Sequence, residues 1–276
     1  MSEIGVQLTD VEVRAEEKVI LRVPKLTVTG GGFLGIVGSK GAGKSTLLKV
    51  CALAIEPDRG EVTLDGKRVQ ALSNWQLAHL KRDVALMPAR DAFFPDASLT
   101  VREIIADGRV GPTGRLSGPT DADREAVESW IDRLELATVA GANFHNLDGR
   151  GRQMTLLARA LVREPSILLL DEPAAGLTTE ETERVDELLE EVYAERDVTA
   201  ILATHETGFL PACTTEVALV SCAELLDVGP REAVFTSENL TRLYGCPIDV
   251  LEMHGRHHAV ATMSWDAMRR GHPGAD

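Results

Sequence analysis

The chain has 276 residues, of which 44% are hydrophobic and 26% charged, and its formal net charge is −14. Such a composition is typical of a globular protein with a sizeable core, and it excludes general disorder. Because a protein needs a basic surface to bind a polyanion, the acidic balance argues against nucleic acid as a partner. The cysteines form no C-x-x-C pair, which favours reduced thiols. They are Cys51, Cys213, Cys222 and Cys246.

No segment is expected to target or span a membrane. The first ten residues lack the basic and apolar regions of a secretory signal. No run approaches the roughly 20 apolar residues that cross a bilayer as a helix. If the protein serves a membrane process, we expect another subunit to do the crossing.

The first part of the chain predicts strands and then a glycine-rich loop. Short alternating runs between residues 4 and 29 indicate antiparallel strands, and Phe33–Val37 is a compact apolar strand. The loop Gly38–Ser45 follows directly, and apolar residues then recur at helical spacing. A hairpin is predicted at Glu61–Lys67, where Asp-Gly supplies the turn.

The loop matches the phosphate-binding pattern G-x-x-x-x-G-K-S/T. Its glycines let backbone N–H groups face phosphates, and the following helix directs its positive dipole end at the same charge. We expect Lys44 to reach the terminal phosphates and the Ser45 hydroxyl to bind Mg²⁺. The predicted nucleotide-binding residues are Gly38, Ser39, Lys40, Gly41, Ala42, Gly43, Lys44, Ser45 and Thr46.

A helical lobe is predicted from about residue 90 to 160, inserted into an α/β core. Helical periodicity is present in Asp123–Leu136, and Gly111–Pro119 is a loop rich in Gly and Pro. The core resumes with the apolar strand Ser166–Asp171, a continuous run typical of a parallel strand covered on both faces.

Two acidic residues stand where this strand ends. In a parallel sheet, Asp171 and Glu172 would lie beside the phosphate loop. Asp171 suits indirect coordination of Mg²⁺, and Glu172 can polarise the attacking water. His205 follows the next predicted strand, Val198–Ala203, which comes after a helix over Thr179–Glu195. A histidine at that strand end can hydrogen-bond a γ-phosphate and orient the water.

The order of these motifs resembles the ATP-binding cassette (ABC) family, over nearly the whole chain. The resemblance implies an α/β fold: an ABC-type P-loop NTPase core, mostly a parallel sheet with an antiparallel β subdomain, plus an inserted α-helical subdomain. Residues 1–89 would be the N-terminal part of the core with the β subdomain, and 90–160 the helical signature subdomain. Residues 161–236 would complete the core, and 237–276 would form a C-terminal tail.

In that family, two subunits sandwich ATP between one phosphate loop and the partner's signature sequence, LSGGQ. The matching segment here is Leu147–Gly151, with Asp148 at the serine and Arg150 at the second glycine. Asp148 would bring a carboxylate near the γ-phosphate, and Arg150 adds bulk where backbone approaches closely. Arg150 could instead offset the charge of Asp148 or contact phosphate itself, and the sequence leaves these alternatives open.

Three further positions depart from the family pattern. Ala15 aligns with the aromatic residue that stacks on adenine, Ala89 with the lid glutamine, and Thr178 with the aspartate after the Asp-Glu pair. One hypothesis is that this subunit pairs with a more conventional one, so that two unequal ATP sites form. A homodimer would then hydrolyse ATP slowly.

The resemblance implies an ATPase that uses ATP and Mg²⁺ to energise transport through a separate membrane permease. A second ABC ATPase subunit, in a homo- or heterodimer, and a substrate-binding protein are the other expected partners. The expected location is cytoplasmic, peripheral on the inner face of the cell membrane. Thr100–Ile105 and Glu238–Pro247 are similar to the iron-siderophore, haem and metal-chelate importer group, which implies import of a metal chelate or similar small solute.

Other functions remain open at this stage. The chain could be an ATP-binding but weakly hydrolysing regulatory half of a heterodimer, or a soluble ABC protein of DNA repair or translation. A P-loop kinase would leave Asp171, Glu172 and His205 unexplained. The tail contains His254, His257 and His258, which suit either a metal-sensing tail or a solvated strand. We expect the tryptophans in the core or an interface: Trp75, Trp130 and Trp265.

Overall fold

A computed structural model describes residues 4–93, 95–110, 119–206, 209–253 and 256–262. The predicted loop Gly111–Pro119 lies outside these ranges except for Pro119, as do His254 and Trp265. None of the described helices is long and apolar enough to cross a bilayer.

Most strands of the described chain belong to one continuous ten-stranded sheet, in the order β5-β4-β1-β2-β10-β9-β3-β8-β7-β6. The remaining two form a separate hairpin, β11-β12. The strands are β1 (Ile4–Ala15), β2 (Lys18–Thr29), β3 (Phe33–Val37), β4 (Arg59–Leu64), β5 (Lys67–Arg68), β6 (Val84–Met87), β7 (Ile167–Asp171), β8 (Thr199–Thr204), β9 (Glu216–Ser221), β10 (Glu224–Pro230), β11 (Ile248–Met253) and β12 (Arg256–Ala261).

One half of the sheet is parallel and holds the buried strands. Strands β9, β3, β8, β7 and β6 pair in parallel in that order. Every residue of β3, β7 and β8 is buried, which explains their continuous apolar runs. The register pairs Val37 with Thr204 and Asp171 with Ala203. The carboxyl ends of β3, β8 and β7 therefore meet at one edge.

The other half is antiparallel and continues the same sheet. The predicted N-terminal strands are confirmed as β1 and β2, which pair antiparallel, and β4 pairs with β1 on the outer side. The predicted hairpin is confirmed as β4 and β5, with Asp65 and Gly66 both at positive φ in the turn. Strand β10 joins the two halves through β9 and β2.

Eight α-helices lie in the described ranges. They are α1 (Lys44–Cys51), α2 (Asn74–Leu80), α3 (Val101–Val110), α4 (Asp121–Arg133), α5 (Gly149–Leu161), α6 (Thr179–Glu195), α7 (Arg231–Val234) and α8 (Ser237–Tyr244). The bounds predicted for α6 are confirmed. Helix α4 begins two residues before the predicted start, because Thr120 caps it through Asp123. It ends early, just before Glu135 at a φ of +57°.

Helices α3, α4 and α5 pack together as a lobe beside β6. Their shared core includes Ile104, Trp130 and Leu157, all buried, which confirms the prediction for Trp130. Trp75 does not lie in the core, since it is 72% exposed and packs edge-on against His79, and its place in an interface stays a prediction. Its helix α2 buries only Leu80, so Trp75 falls on the solvent side.

The C-terminal region packs on the core. Leu240 of α8 is fully buried, and Ile248 of β11 belongs to the same apolar cluster. His257 and His258 lie on β12, where His257 contacts the ring of Phe235 edge-on.

Candidate nucleotide-binding site

The glycine-rich loop curls over the end of β3, and two of its glycines adopt left-handed conformations that other residues rarely adopt. Gly41 and Gly43 have φ values of +79° and +113°. A Cβ added to Gly38 would lie 2.1 Å from the Val220 carbonyl oxygen. Helix α1 starts immediately afterwards at Lys44, so its positive dipole end faces the loop.

Replacing Gly38 by Ala should therefore both destabilise the fold and disrupt the loop. We expect the thermal midpoint to fall by about 5 °C or more, because the added methyl group clashes with backbone. Differential scanning fluorimetry measures this effect. Gly141→Ala is the matched control, since a Cβ there meets nothing within 4 Å. An unchanged midpoint for the Gly38 variant would contradict the close approach of Val220.

Lys44 connects the loop to the end of β7. Its Nζ donates hydrogen bonds to the carbonyl oxygens of Gly38 at 2.8 Å and Ser39 at 3.1 Å. The same nitrogen lies 3.4 Å from Glu172 Oε1, and the side chain is only 5% exposed. A buried ammonium requires such partners. Lys44 thus holds the loop closed and neutralises Glu172.

Glu172 and His205 form a direct pair. Glu172 Oε2 lies 2.8 Å from His205 Nδ1 and accepts a hydrogen bond from the His205 backbone N–H at 3.2 Å. Glu172 has a φ of +53°, and its own N–H donates to the Ala203 carbonyl. This conformation turns the side chain across the end of β8 towards His205 and Lys44. The structure thus brings together Lys44, Glu172 and His205, three of the residues that sequence patterns singled out.

Asp171 is the most deeply buried carboxylate of the site. Burial, the largest cause, raises its pKa; the charge of Glu172 adds to this, while hydrogen bonds from Ser45 and the Ala89 backbone oppose it. Its Oδ1 is buried without a hydrogen-bond partner among the described residues. An unsatisfied carboxylate oxygen beside a serine hydroxyl suits Mg²⁺, which prefers hard oxygen ligands. The residues present fit that ion.

Asp171→Asn should stabilise the nucleotide-free protein at neutral pH. Because the pKa of Asp171 is raised, the folded state binds a proton on this carboxyl more tightly than the unfolded chain does. The stability that the bound proton contributes is full at low pH and is lost as pH rises through the raised pKa. Removing the charge should raise the thermal midpoint by about 2–4 °C at pH 7.5. The gain should shrink as the pH approaches the ordinary aspartate range. A midpoint lowered equally at all pH values would contradict the assignment.

Gln153 is a site residue that the sequence patterns missed. It is fully buried on α5, and its Nε2 donates to the carbonyl oxygens of Glu172 at 2.8 Å and Pro173 at 2.7 Å. A glutamine among the apolar residues of α5, such as Met154 and Leu157, was the available clue. Gln153 fixes the backbone that carries Glu172.

The signature-like segment Leu147–Gly151 forms the start of α5. Asp148 is the N-cap, and its Oδ1 accepts the Gly151 backbone N–H at 2.7 Å. Aspartate thus serves here as a helix cap. Arg150 turns towards carboxylates of its own chain, with Nη2 2.9 Å from Glu135 Oε2 and Nε 3.3 Å from Glu181 Oε1.

The other departures occupy distinct places. Ala15 ends β1 at the β1–β2 turn, and Thr178 is the N-cap of α6. Ala89 contributes a backbone hydrogen bond to Asp171. The side chain of the next residue, Arg90, lies close to Gly149 of the signature-like segment and to Gly176. A Cβ added to Gly149 would lie 2.8 Å from Arg90 Nη1, and a Cβ added to Gly176 would lie 3.2 Å from the same atom. Sequence patterns gave no indication of Arg90.

Comparison with known proteins identifies the family. Residues 21–175 match the family model described as ABC transporter. The hemin import ATP-binding protein of Nocardia farcinica is 33% identical over 82% of this chain and 75% of its own length. The methionine import ATP-binding protein of Photobacterium profundum is 29% identical over 76% of this chain. The chain spans 59% of that relative's length.

Solved structures agree on the fold. A transporter described as of the metal-chelate type, in an inward-facing conformation, superposes with a TM-score of 0.75, covering 95% of this chain and 98% of its own at 22% identity. A dimeric ATP-binding cassette bound to ADP and Pi gives 0.71, over 82% and 98%, at 24% identity. A phosphate loop on a parallel sheet, with an antiparallel extension and a helical lobe, is the ABC ATPase fold. The chain belongs to the ABC transporter family.

Proposed function

We propose that this chain binds and hydrolyses ATP to energise an ABC transporter. The observation that carries the proposal is the continuous contact between Lys44, Glu172 and His205 at the mouth of the phosphate loop. Residues 38–46 would hold the phosphates through backbone N–H groups and the α1 dipole. In this assignment, residues 1–89 and 161–236 form the core, 90–160 the helical lobe and 237–276 the tail.

The contacts suggest how hydrolysis proceeds. On binding, the terminal phosphates of ATP would attract Lys44 Nζ away from Glu172 Oε1, which frees that oxygen to accept a hydrogen bond from water. The water oxygen attacks the γ-phosphorus, its proton passes to Glu172, and the bond between the γ-phosphorus and the oxygen of ADP breaks. His205 holds the other carboxylate oxygen in place through its backbone N–H and Nδ1. When the ring is protonated, its Nε2 also donates to the γ-phosphate.

Mg²⁺ would be held by the Ser45 hydroxyl and the Asp171 carboxylate. Bound there, it neutralises phosphate charge that develops during transfer. The buried and unsatisfied Asp171 Oδ1 supports this assignment. The hydrogen bond between Ser45 and Asp171 keeps the two ligands adjacent before the ion arrives.

The names of the relatives support a proposal for the partners. The similar proteins are named for import of methionine, cobalamin, zinc and hemin. We therefore infer a separate membrane permease, a second ATPase subunit and a substrate-binding protein, with this chain peripheral on the cytoplasmic face of the membrane. The cargo would be a small solute such as a metal chelate.

Co-purification tests the transport assignment. If a neighbouring gene encodes a membrane protein, that protein is expressed together with this chain, reconstituted in liposomes and assayed for ATP-driven uptake of hemin and cobalamin. We expect a stable complex whose phosphate release increases with the substrate-binding protein. A chain that never associates with the membrane protein, yet hydrolyses ATP, would contradict transport and favour a soluble ABC protein.

A second candidate is a weakly hydrolysing regulatory half of a heterodimer. The observation in its favour is Asp148, which adds a carboxylate to the segment that completes an ATP site in this family. Phosphate release by the isolated chain, compared with a mixture containing a conventional cassette, separates the two. Brisk turnover by the isolated chain would contradict the unequal-partner hypothesis.

A further inference from the structure

Two of the departures from the family pattern, Arg150 and Thr178, meet at a single carboxylate. Glu181 Oε2 accepts a hydrogen bond from the Thr178 N–H at 2.8 Å, and the Glu181 N–H donates to Thr178 Oγ1 at 3.4 Å. This is a capping box at the start of α6. The second oxygen, Oε1, lies 3.3 Å from Arg150 Nε. Glu181 therefore joins the start of α5 to the start of α6.

Arg150 also neutralises an acidic cluster. Its Nη2 lies 2.9 Å from Glu135 Oε2, and Arg184 Nη1 lies 2.7 Å from the other oxygen of Glu135. Hydrogen bonds from Thr178 hold the pKa of Glu181 below its usual range; the charge of Arg150 lowers it further, whereas that of Asp148 opposes it. Without Arg150, Glu181 would face the charge of Asp148 with no cation beside it, and Glu135 would keep only Arg184.

The same two helices frame the segment Glu172–Thr178, which carries the proposed catalytic carboxylate. Gln153, one turn after Arg150 on α5, holds the carbonyl oxygens of Glu172 and Pro173 at the first end of the segment. Arg150 holds the far end through Glu181 and Thr178. Helix α5 thus contacts the first end of the segment directly through Gln153 and its far end indirectly through Glu181.

We propose that Arg150 is a positioning residue that acts through Glu181 and Thr178 to keep Glu172 oriented for hydrolysis. Its Nε and Nη2, which form one edge of the guanidinium fork, already face carboxylates, so this edge is not available to a phosphate. The inference rests on the proposed ATPase function. It assigns Arg150, in the altered signature-like segment, a part in that function.

The test separates positioning from phosphate binding. Arg150→Ala and Arg150→Lys are assayed for kcat, KM for ATP and ATP affinity. We expect Arg150→Ala to lower kcat about three- to tenfold, with KM and ATP affinity changed less than about twofold, and Arg150→Lys to fall between it and wild type. A phosphate ligand would instead show weakened ATP binding, and that result would overturn the proposal.

A double-mutant cycle tests the link between Arg150 and Glu181. Glu181→Gln keeps an oxygen that can accept the Thr178 N–H but loses the ion pair with Arg150, so it should lower kcat about as much as Arg150→Ala does, and the double variant should be no more than about twofold slower than either single variant. Losses of kcat that multiply in the double variant would contradict the proposed link. The matched control is Arg196→Ala, which breaks an ion pair with Glu164 at similar arginine exposure, 31% against 34% for Arg150. Its kcat should equal that of wild type.

Failure of the inference can be told from failure of the proposed function. If wild type releases phosphate at the rate expected of an ATPase but the Arg150 variants do not show the predicted loss of kcat, the inference alone is wrong. If wild type releases none above the Lys44→Ala background, the proposed function is wrong and the inference falls with it.

Discussion

Replacing Glu172 by Gln is expected to lower ATP turnover about 100- to 10,000-fold while ATP still binds. Glutamine keeps the size of the side chain and a hydrogen-bond acceptor, but it cannot take a proton from water. Since Lys44 Nζ is the only cation close to Glu172 Oε1 in the described chain, a bound phosphate that attracts Lys44 leaves this oxygen to the water. Phosphate release and equilibrium binding of a fluorescent ATP analogue measure the two quantities.

The control for this variant is Glu187→Gln, an exposed carboxylate on α6. It should leave turnover unchanged. ATP should bind the Glu172 variant at least as tightly as wild type, because a negative charge near the phosphates has been removed. Turnover within about threefold of wild type would show that another group activates the water.

Replacing Lys44 by Ala is expected to weaken ATP binding by at least about 30-fold, which corresponds to about 2 kcal/mol. The variant loses the only ammonium group that bridges the loop and β7 in the described structure. It also removes the ammonium donor from the Gly38 and Ser39 carbonyl oxygens, of which Ser39 keeps the backbone N–H of Ala42. The loop should therefore lose both its charge and its closed shape.

Isothermal titration calorimetry with ATP measures the effect of Lys44→Ala. The control is Lys49→Ala, on the same helix but in its last turn, and it should bind ATP like wild type. Equal affinity in the Lys44 variant would contradict the phosphate-binding role of the loop.

Local patterns sufficed to predict much of this fold. Each correctly predicted element depends on a short stretch of adjacent residues, where apolar periodicity and glycine are informative. These elements are the strand before Gly38, the apolar run before Asp171 and helix α6. The contact between Glu172 and His205 was less accessible. It depends on β8 lying between β3 and β7, and strand order is decided by packing of the whole sheet.

The roles of Arg150 in the altered signature-like segment and of Thr178 were not predicted from the sequence. Arg150 could be named as unusual, but its partners Glu135 and Glu181 lie on other helices, so sequence patterns left its role open. Thr178 is different, because T-x-x-E from Thr178 to Glu181 is a capping box that spacing alone could have revealed. Thr178, which replaces the aspartate of the family pattern, is thus the N-cap of α6.

In our proposal, one site hydrolyses Mg-ATP, and it is formed by residues 38–46, Asp171, Glu172 and His205. The most direct measurement is steady-state phosphate release by the purified chain, with wild type, Lys44→Ala and Glu172→Gln assayed side by side, with and without Mg²⁺. We predict release that saturates with ATP, requires Mg²⁺ and disappears in both variants. Phosphate release by wild type no faster than by Lys44→Ala would contradict the claim.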